Sequence, residues 1–328
     1  PYYFSNYQIT FIDSIFESFS GITSTGFSIF ENIKYLDPTL ILWRSTSQWI
    51  GGLYFLIFIV IIFSNNQYNF KLNHLVYTGN MGSTSKLNIQ NILFQIFFVY
   101  SLSTLLVFVI LNFGSVRLFN SLNLSMTIIS NGGFLPTNSL NQIFLKENNY
   151  ILAIVLLIPT LNIFLLYNFY NKKRIINNHQ EDLFLIFFIS ILSLVMYYTL
   201  NNTSISEVLI NIISSISNSG LSFSKSADGS ILFIFLCVIG GSLISNSSGI
   251  KLLRIYILLK TATAEIIKLV RPNNVFNNTI FYSGKRIDNQ IINLSFLIFI
   301  SFFISVFILS SVLALDDINF ENSFKLSI

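Results

Sequence analysis

Charged side chains are scarce in this sequence. Asp, Glu, Lys and Arg make up only 10% of the 328 residues, whereas soluble globular domains contain roughly 25%. Hydrophobic residues account for 53%, and the mean hydropathy is +0.68. This composition excludes an ordinary soluble domain and predicts an all-α integral membrane protein surrounded by lipid.

Cysteine and histidine are almost absent as well. The single Cys237 excludes an internal disulfide framework and lies inside a predicted span, where we expect a structural role. His74 and His179 fall in predicted cytoplasmic loops without metal-ligand spacing, and each is predicted to be a solvated surface residue. We find no cluster of acid, base, nucleophile or metal ligands of the kind that a membrane-embedded enzyme needs. We therefore expect no catalysis, no cofactor in the chain and no nucleic-acid partner.

Six stretches without charge are each long enough for a membrane span of about 20 residues. The predicted spans lie near 41–63, 91–113, 150–170, 183–200, 229–250 and 291–315. If the loops after the first, third and fifth spans share one side, that side carries most of the basic residues: Lys71, Lys86, Lys172, Lys173, Arg174, Lys251, Arg254, Lys260, Lys268, Arg271, Lys285 and Arg286. The positive-inside rule makes it the cytoplasmic side, and the acid-rich outer side would attract cations.

A short pattern occurs three times in one register. It reads SGITSTGFS at 20–28, TIISNGGFL at 127–135 and SSISNSGLS at 214–222. Apolar residues at helical spacing precede each copy, and thirteen positions before the shared glycine stands Asp13, Asn120 or Glu207. Each copy therefore predicts a short helix that runs into a glycine-rich turn, too short to cross a bilayer and return as helix. Non-helical backbone at membrane depth is tolerated where it lines an aqueous cavity.

The repeat defines a unit of span, re-entrant pore helix, filter turn and span. Residues 1–63 hold a first unit without its leading span, 91–174 a second, 183–260 a third with an intramembrane loop at 240–248, and 286–328 a fourth. INFENSFKLSI at 318–328 resembles ITFIDSIFESF at 9–19, and aligning Asn322 with Asp13 puts the matching glycine near position 335. Because the chain also begins with Pro1, we expect a fragment of a four-unit protein whose fourth filter is cut away.

These turns suit a monovalent cation, although they contain no carboxylate. Backbone carbonyls arranged in rings can replace the hydration shell of such an ion. Glycine permits the positive φ angles that turn successive carbonyls toward one axis. The negative C-terminal end of each pore helix also faces the filter.

Five segments together resemble the TrkH, TrkG and KtrB family of potassium-uptake proteins, relatives of the HKT transporters, with TrkH the nearest. They are FIDSIFESFSGITSTGF, LWRSTSQWIGG at 42–52, TIISNGGF, IGGSLISNSSGIKLLRIYILLK at 239–260, and RPNNVF at 271–276. The resemblance implies a pseudo-fourfold potassium pore in a bacterial inner membrane, a homodimer and a cytoplasmic nucleotide-binding regulatory subunit of the TrkA type. By this resemblance, the residues of the potassium filter are Thr23, Ser24, Thr25, Gly26, Ser130, Asn131, Gly132, Gly133, Ser217, Asn218, Ser219 and Gly220.

The fifth apolar stretch is too long for one straight span, and small polar residues at 240–248 predict an unwound segment. By resemblance this segment is a gating loop, although Leu243, Ile244, Ser247 and Ser248 stand where the family usually has more glycines. Lys251 is either a positive plug or gating lever, or a side chain that snorkels to the cytoplasmic edge. The gate residues carried over are Gly240, Gly241, Ser242, Ser245, Asn246, Ser247, Ser248, Gly249 and Lys251.

Two other functions compete with potassium uptake. A sodium-permeable or non-selective cation channel of the same superfamily is the nearer one, and by resemblance Gly26, Gly133 and Gly220 favour potassium over it. A purely structural subunit has no need of three equivalent re-entrant turns. Arg44 is expected to anchor its span and cap the pore-loop structure rather than to touch the ion.

Overall fold

The computed structural model describes residues 1–64, 89–144, 149–165, 179–199, 204–222, 230–271, 287, 289–316 and 318–328. Helices dominate this part of the chain, which confirms the all-α prediction, and its strands are the two-residue parallel pair β1 (Ile239–Gly240) and β2 (Ile250–Lys251). The helices are α1 (Phe11–Ile22), α2 (Pro38–Ser64), α3 (Ile89–Phe113), α4 (Leu118–Ser130), α5 (Asn149–Leu157), α6 (Gln180–Thr199), α7 (Ile205–Ser217), α8 (Ser230–Val238), α9 (Leu252–Val270), α10 (Asn289–Leu315) and α11 (Phe320–Ser327).

Three segments of the described helices are long and apolar enough to cross a membrane: Leu93–Phe113, Gln180–Thr199 and Asn289–Leu315. Large apolar side chains such as Phe98, Phe187 and Phe307 remain exposed on their surfaces. Such faces are stable against lipid, because only the backbone polar groups must be satisfied internally and a helix does this by itself.

The third predicted span, 150–170, does not form one continuous helix. Helix α5 ends at Leu157 and is followed by a 3-10 turn over Ile158–Thr160. Pro159 has no N–H for the helical ladder, and the hydroxyl of Thr160 donates to the carbonyl of Leu157 at 2.6 Å. The prediction of an uninterrupted span is therefore wrong at this point, and residues 166–170 lie outside the described part.

The short helices α1, α4 and α7 occupy the positions predicted for pore helices. Helix α1 packs against α2, α4 lies between α2 and α3, and α7 contacts α5, α6 and α8. Thr10 caps α1 by accepting from the amide of Asp13, and Ser204 caps α7 by accepting from the amide of Glu207. Helix α11 packs against α10, and its N-cap Asn319 stands three residues before Asn322, as Thr10 stands before Asp13.

His179 is buried, so the prediction of a solvated surface residue is wrong. The side chain is 3% exposed and its Nδ1 lies 2.8 Å from Oδ2 of Asp182 in the first turn of α6. The other carboxylate oxygen of Asp182 accepts from the amide of Asn162, at the break after α5, 2.9 Å away. Asp182 thus joins the break in the third span to the beginning of α6 and pairs with the buried histidine. His74 lies outside the described residues.

Candidate functional site

Helices α1, α4 and α7 end in the same hydrogen-bonded turn. In each turn, the residue two positions before the repeat glycine donates its amide to the carbonyl of the residue three positions before itself, at 3.0–3.2 Å. The following residue donates its amide to the carbonyl of the residue five positions before itself, at 3.0–3.1 Å. This double pattern is the Schellman ending, which needs a left-handed residue. That residue is Ser24, Asn131 or Asn218, with φ of 55°, 55° and 54° respectively.

The repeat glycine two positions later is left-handed as well. Gly26, Gly133 and Gly220 have φ of 84°, 76° and 67°, so left-handed residues alternate along each turn and reorient its carbonyls. A methyl group on Gly26 would lie 2.5 Å from the carbonyl oxygen of Gly132, and one on Gly133 would lie 2.7 Å from that of Ser219. The first turn therefore contacts the second, and the second contacts the third. All three predicted filter segments are brought together.

A cavity of about 530 Å³ lies where the pore helices end. The three turns contribute equivalent residues to its wall, and α2 contributes Gly51, Gly52, Tyr54, Phe55 and Phe58. Each pore helix directs its C-terminal end toward this space, and such an end is equivalent to roughly −0.5 elementary charge. The cavity therefore favours a cation without a carboxylate. The residues from the turns are Thr23, Ser24, Ser130, Asn131, Ser217 and Asn218.

A buried ion pair joins the first pore helix to the following span. Arg44 is 1% exposed and its Nε lies 2.9 Å from Oε1 of Glu17, which is 0% exposed. Glu17 also accepts from Ser28 Oγ and from the amide of Ile29, each at 3.0 Å. The guanidinium lies over the ring of Phe134, 4.2 Å from its centroid. As predicted for Arg44, the side chain anchors the chain behind the turns and does not reach the cavity wall.

Gln48 stands one helical turn beyond Arg44 and links the first unit to the second. Its side-chain amide donates to the carbonyl of Gly132, and its oxygen accepts from the amide of Phe134 at 3.2 Å. A methyl group on Gly132 would overlap the carboxamide of Gln48. The side chain is fully buried, so both backbone groups of the second turn depend on it for hydrogen bonds.

The loop between β1 and β2 contacts the ends of α4 and α7 and lines part of the cavity. Asn246 donates to the carbonyl of Ile129 at 2.6 Å, near the end of α4. Asn218, at the end of α7, donates to Ser248 Oγ at 2.7 Å and to the carbonyl of Cys237 at 2.9 Å. Asn246 and Ser248 also line the cavity. The loop therefore contacts two of the three turns directly.

The same loop is fastened to the break in the third span. Ser242 donates its amide to the carbonyl of Thr160 at 2.9 Å, and Ile163 donates to the carbonyl of Ile244 at 3.0 Å. Leu243 and Ile244, which depart from the family pattern, are buried in the hydrophobic core. These two side chains pack the loop against the surrounding helices. Gly240 lies in β1, Gly241 and Ser242 begin the loop, and Gly249 ends it with φ of 76°.

Sequence reasoning missed Glu17 and Gln48 as contributors to this site. Glu17 lies on the polar face of the predicted pore helix together with Ser14, Ser20 and Gly21, and this face, not the apolar one, is buried; the apolar spacing therefore gave no signal for it. Gln48 lies four residues from Arg44, which places both on one helix face. Asn246 was predicted as a gate residue, but nothing in the sequence indicated its contact with Ile129, which lies 117 residues away.

Comparison with known proteins gives a consistent result. No family model matches the chain. An uncharacterized cation transporter of Methanocaldococcus jannaschii is 24% identical over 318 residues, covering 94% of this chain and 65% of that protein. The Trk system potassium uptake protein TrkH of Escherichia coli K12 is 26% identical over 298 residues, covering 84% and 61%, and TrkG of the same strain is 25% identical over 317 residues, covering 88% and 62%. The chain thus spans 61–65% of the length of these relatives.

The fold agrees with the sequence comparison. The crystal structure of the potassium transporter TrkH from Vibrio parahaemolyticus superimposes with a TM-score of 0.81 at 21% identity, over 96% of this chain and 68% of that one. The chain therefore has the TrkH fold and is related in sequence to the Trk potassium uptake proteins over most of its length, which confirms the resemblance that its motifs indicate.

Proposed function

We propose that this chain forms most of a potassium uptake pathway whose selectivity filter is built from the turns that follow α1, α4 and α7. The observation that carries the proposal is the contact between three turns of identical backbone geometry. Each has left-handed residues at the same two positions, and their helix ends share one cavity wall. The relatives named above are potassium uptake proteins or a cation transporter, and potassium is the transported ion in this proposal.

The loop at 240–249 is the gate in this proposal. Its contacts with Ile129 and Asn218, at the ends of α4 and α7, support this role, because displacement of the loop would remove part of the cavity wall. A fourth unit, to which residues 286–328 with α10 and α11 belong, completes a pseudo-fourfold ring in this proposal. The working assembly is a homodimer in the bacterial inner membrane with a TrkA-type nucleotide-binding subunit on the basic, cytoplasmic side.

The test replaces Gly133 with alanine in the four-unit protein, meaning this chain continued through a fourth turn. The new methyl group would lie 2.7 Å from the carbonyl oxygen of Ser219. The substitution would also require a residue with a β-carbon to keep the positive φ of this position. Gly114→Ala is the matched control, because its methyl meets only the flexible Cδ1 of Ile151 at 3.1 Å and a carbonyl at 3.2 Å, at a position outside the turns. Both variants are expressed in a bacterium deficient in potassium uptake.

We expect Gly133→Ala to abolish rubidium uptake at an unchanged amount of membrane-inserted protein, and Gly114→Ala to retain uptake. Equal uptake by the two variants would contradict the filter assignment. Uptake of sodium at the rate of rubidium by the unsubstituted protein would instead establish the non-selective alternative.

A further inference from the structure

The side chain of Lys251 turns back into the loop and does not extend toward the cytoplasmic edge. Its Nζ lies 3.0 Å from the carbonyl oxygen of Ser245 and 3.1 Å from each of the hydroxyl oxygens of Ser245 and Ser247, and it also donates to the carbonyl of Ser247. Four oxygens from two residues therefore surround one ammonium group.

The two hydroxyls present only lone pairs to this ammonium. Ser245 Oγ donates its proton to the carbonyl of Ser242 at 2.6 Å, and Ser247 Oγ lies 2.8 Å from Ser245 Oγ, to which it can donate. Ser247 Oγ also accepts from the amide of Gly241 at 2.8 Å. Because both protons point elsewhere, the loop is arranged as a cage of acceptors before any cation is considered.

The cage suits a spherical cation at least as well as an amine. An ammonium group on a lysine has three protons to donate, whereas four oxygens lie around Nζ. Carbonyl and hydroxyl oxygens are the ligands that replace the hydration shell of potassium in filters. Among the residues that the structure describes, no carboxylate contacts Nζ directly. Glu181 is the acid that faces Lys251, its Oε1 has no hydrogen-bond partner, and Arg254 is the other nearby charge.

The position of the cage connects it to the cavity. The caged serines flank Asn246, whose side chain holds the end of α4, and Ser247 precedes Ser248, which holds Asn218. A cation that draws the oxygens of Ser245 and Ser247 together therefore also fixes the residues that close the cavity.

We propose that the loop at 241–249 folds around a monovalent-cation site, and that the ammonium of Lys251 occupies this site as a tethered ion. Potassium, ammonium or thallium binds to the same four oxygens when the lysine amine is absent. The assignment of the loop as a gate rests on the proposed function, whereas the cation site stands on the loop geometry and is tested separately from uptake.

The experiment uses Lys251→Met, which keeps a long unbranched side chain and removes the ammonium group with its charge. Melting temperatures of the purified chain in detergent are compared in potassium chloride and in N-methylglucamine chloride at equal ionic strength, and again with a thallium salt. Lys260→Met is the matched control, because Lys260 lies on α9, the helix that begins directly after Lys251, and has its Nζ 3.4 Å from Tyr256 Oη, away from the loop. Lys251→Met/Ser245→Ala removes one cage oxygen.

We expect Lys251→Met to melt below the unsubstituted chain in N-methylglucamine and to regain much of the difference in potassium or thallium, since a ligand of the folded state raises its stability. Neither the control nor the double variant should show this additional dependence on potassium. The same dependence in Lys251→Met and in the unsubstituted chain would overturn the proposal, even if Lys251→Met is unstable. Loss of uptake alone would concern the proposed function and not the cation site.

Discussion

Glutamine in place of Glu17 tests the buried ion pair behind the first turn. The substitution preserves the shape of the side chain but removes its charge. Arg44 is then left 1% exposed without a counter-ion, and one of its guanidinium nitrogens, Nη1, already lacks a hydrogen-bond partner. The oxygen of the new side-chain carboxamide can still accept from Arg44 or from the backbone amide of Ile29. Its NH2 group then faces the other of these two groups, which is also a donor.

The expected loss of stability is large. Breaking a buried ion pair by removing one partner costs about 3–5 kcal/mol, because a charge remains buried without compensation. For a chain of this size a loss of 1 kcal/mol lowers the melting temperature by roughly 2 °C. We therefore expect Glu17→Gln to melt roughly 6–10 °C below the unsubstituted chain.

The assay is thermal unfolding in detergent micelles, with Glu265→Gln as the control. Glu265 pairs with Lys268 at 2.6 Å, but the side chains are 70% and 48% exposed, and such pairs contribute about 0–1 kcal/mol. The double variant Glu17→Gln/Arg44→Met should be more stable than Glu17→Gln alone, because it removes the uncompensated charge. A shift for Glu17→Gln no larger than that of the control would refute the reasoning.

Two further predictions concern the contacts of α2. Gln48→Leu leaves the buried amide of Phe134 without an acceptor, at a cost of about 1–3 kcal/mol. In the four-unit protein it should reduce the preference for rubidium over sodium uptake, whereas the control Thr46→Val in α2 should not. Equal ion preference in the two variants would contradict the role of Gln48. Gly51→Ala places a methyl group on the carbonyl of Ile22, which is backbone and cannot move aside cheaply, so it should lower the melting temperature more than Gly114→Ala; a ranking in the opposite order would show that α1 and α2 do not pack this closely.

Much of the helical architecture could be predicted from the sequence. The charge-free stretches indicated the long helices, and the apolar spacing before each glycine indicated α1, α4 and α7. The break in the third span was missed, although Pro159 was a visible signal, because one proline within a long apolar stretch is also compatible with a kinked span. The burial of His179 was missed because it depends on Asp182 and on the broken chain near Asn162, which covers both.

What the sequence by itself determined is the local geometry of each turn. The Schellman endings close hydrogen bonds over at most five residues, and each has a serine or asparagine in the left-handed position two residues before a glycine. The tertiary structure alone decided which oxygens meet. Gly132 lies beside Gly26, Gln48 reaches the second turn, and Asn246 reaches Ile129 in α4, because these contacts follow from how separate segments pack and no residue encodes them within its own neighbourhood.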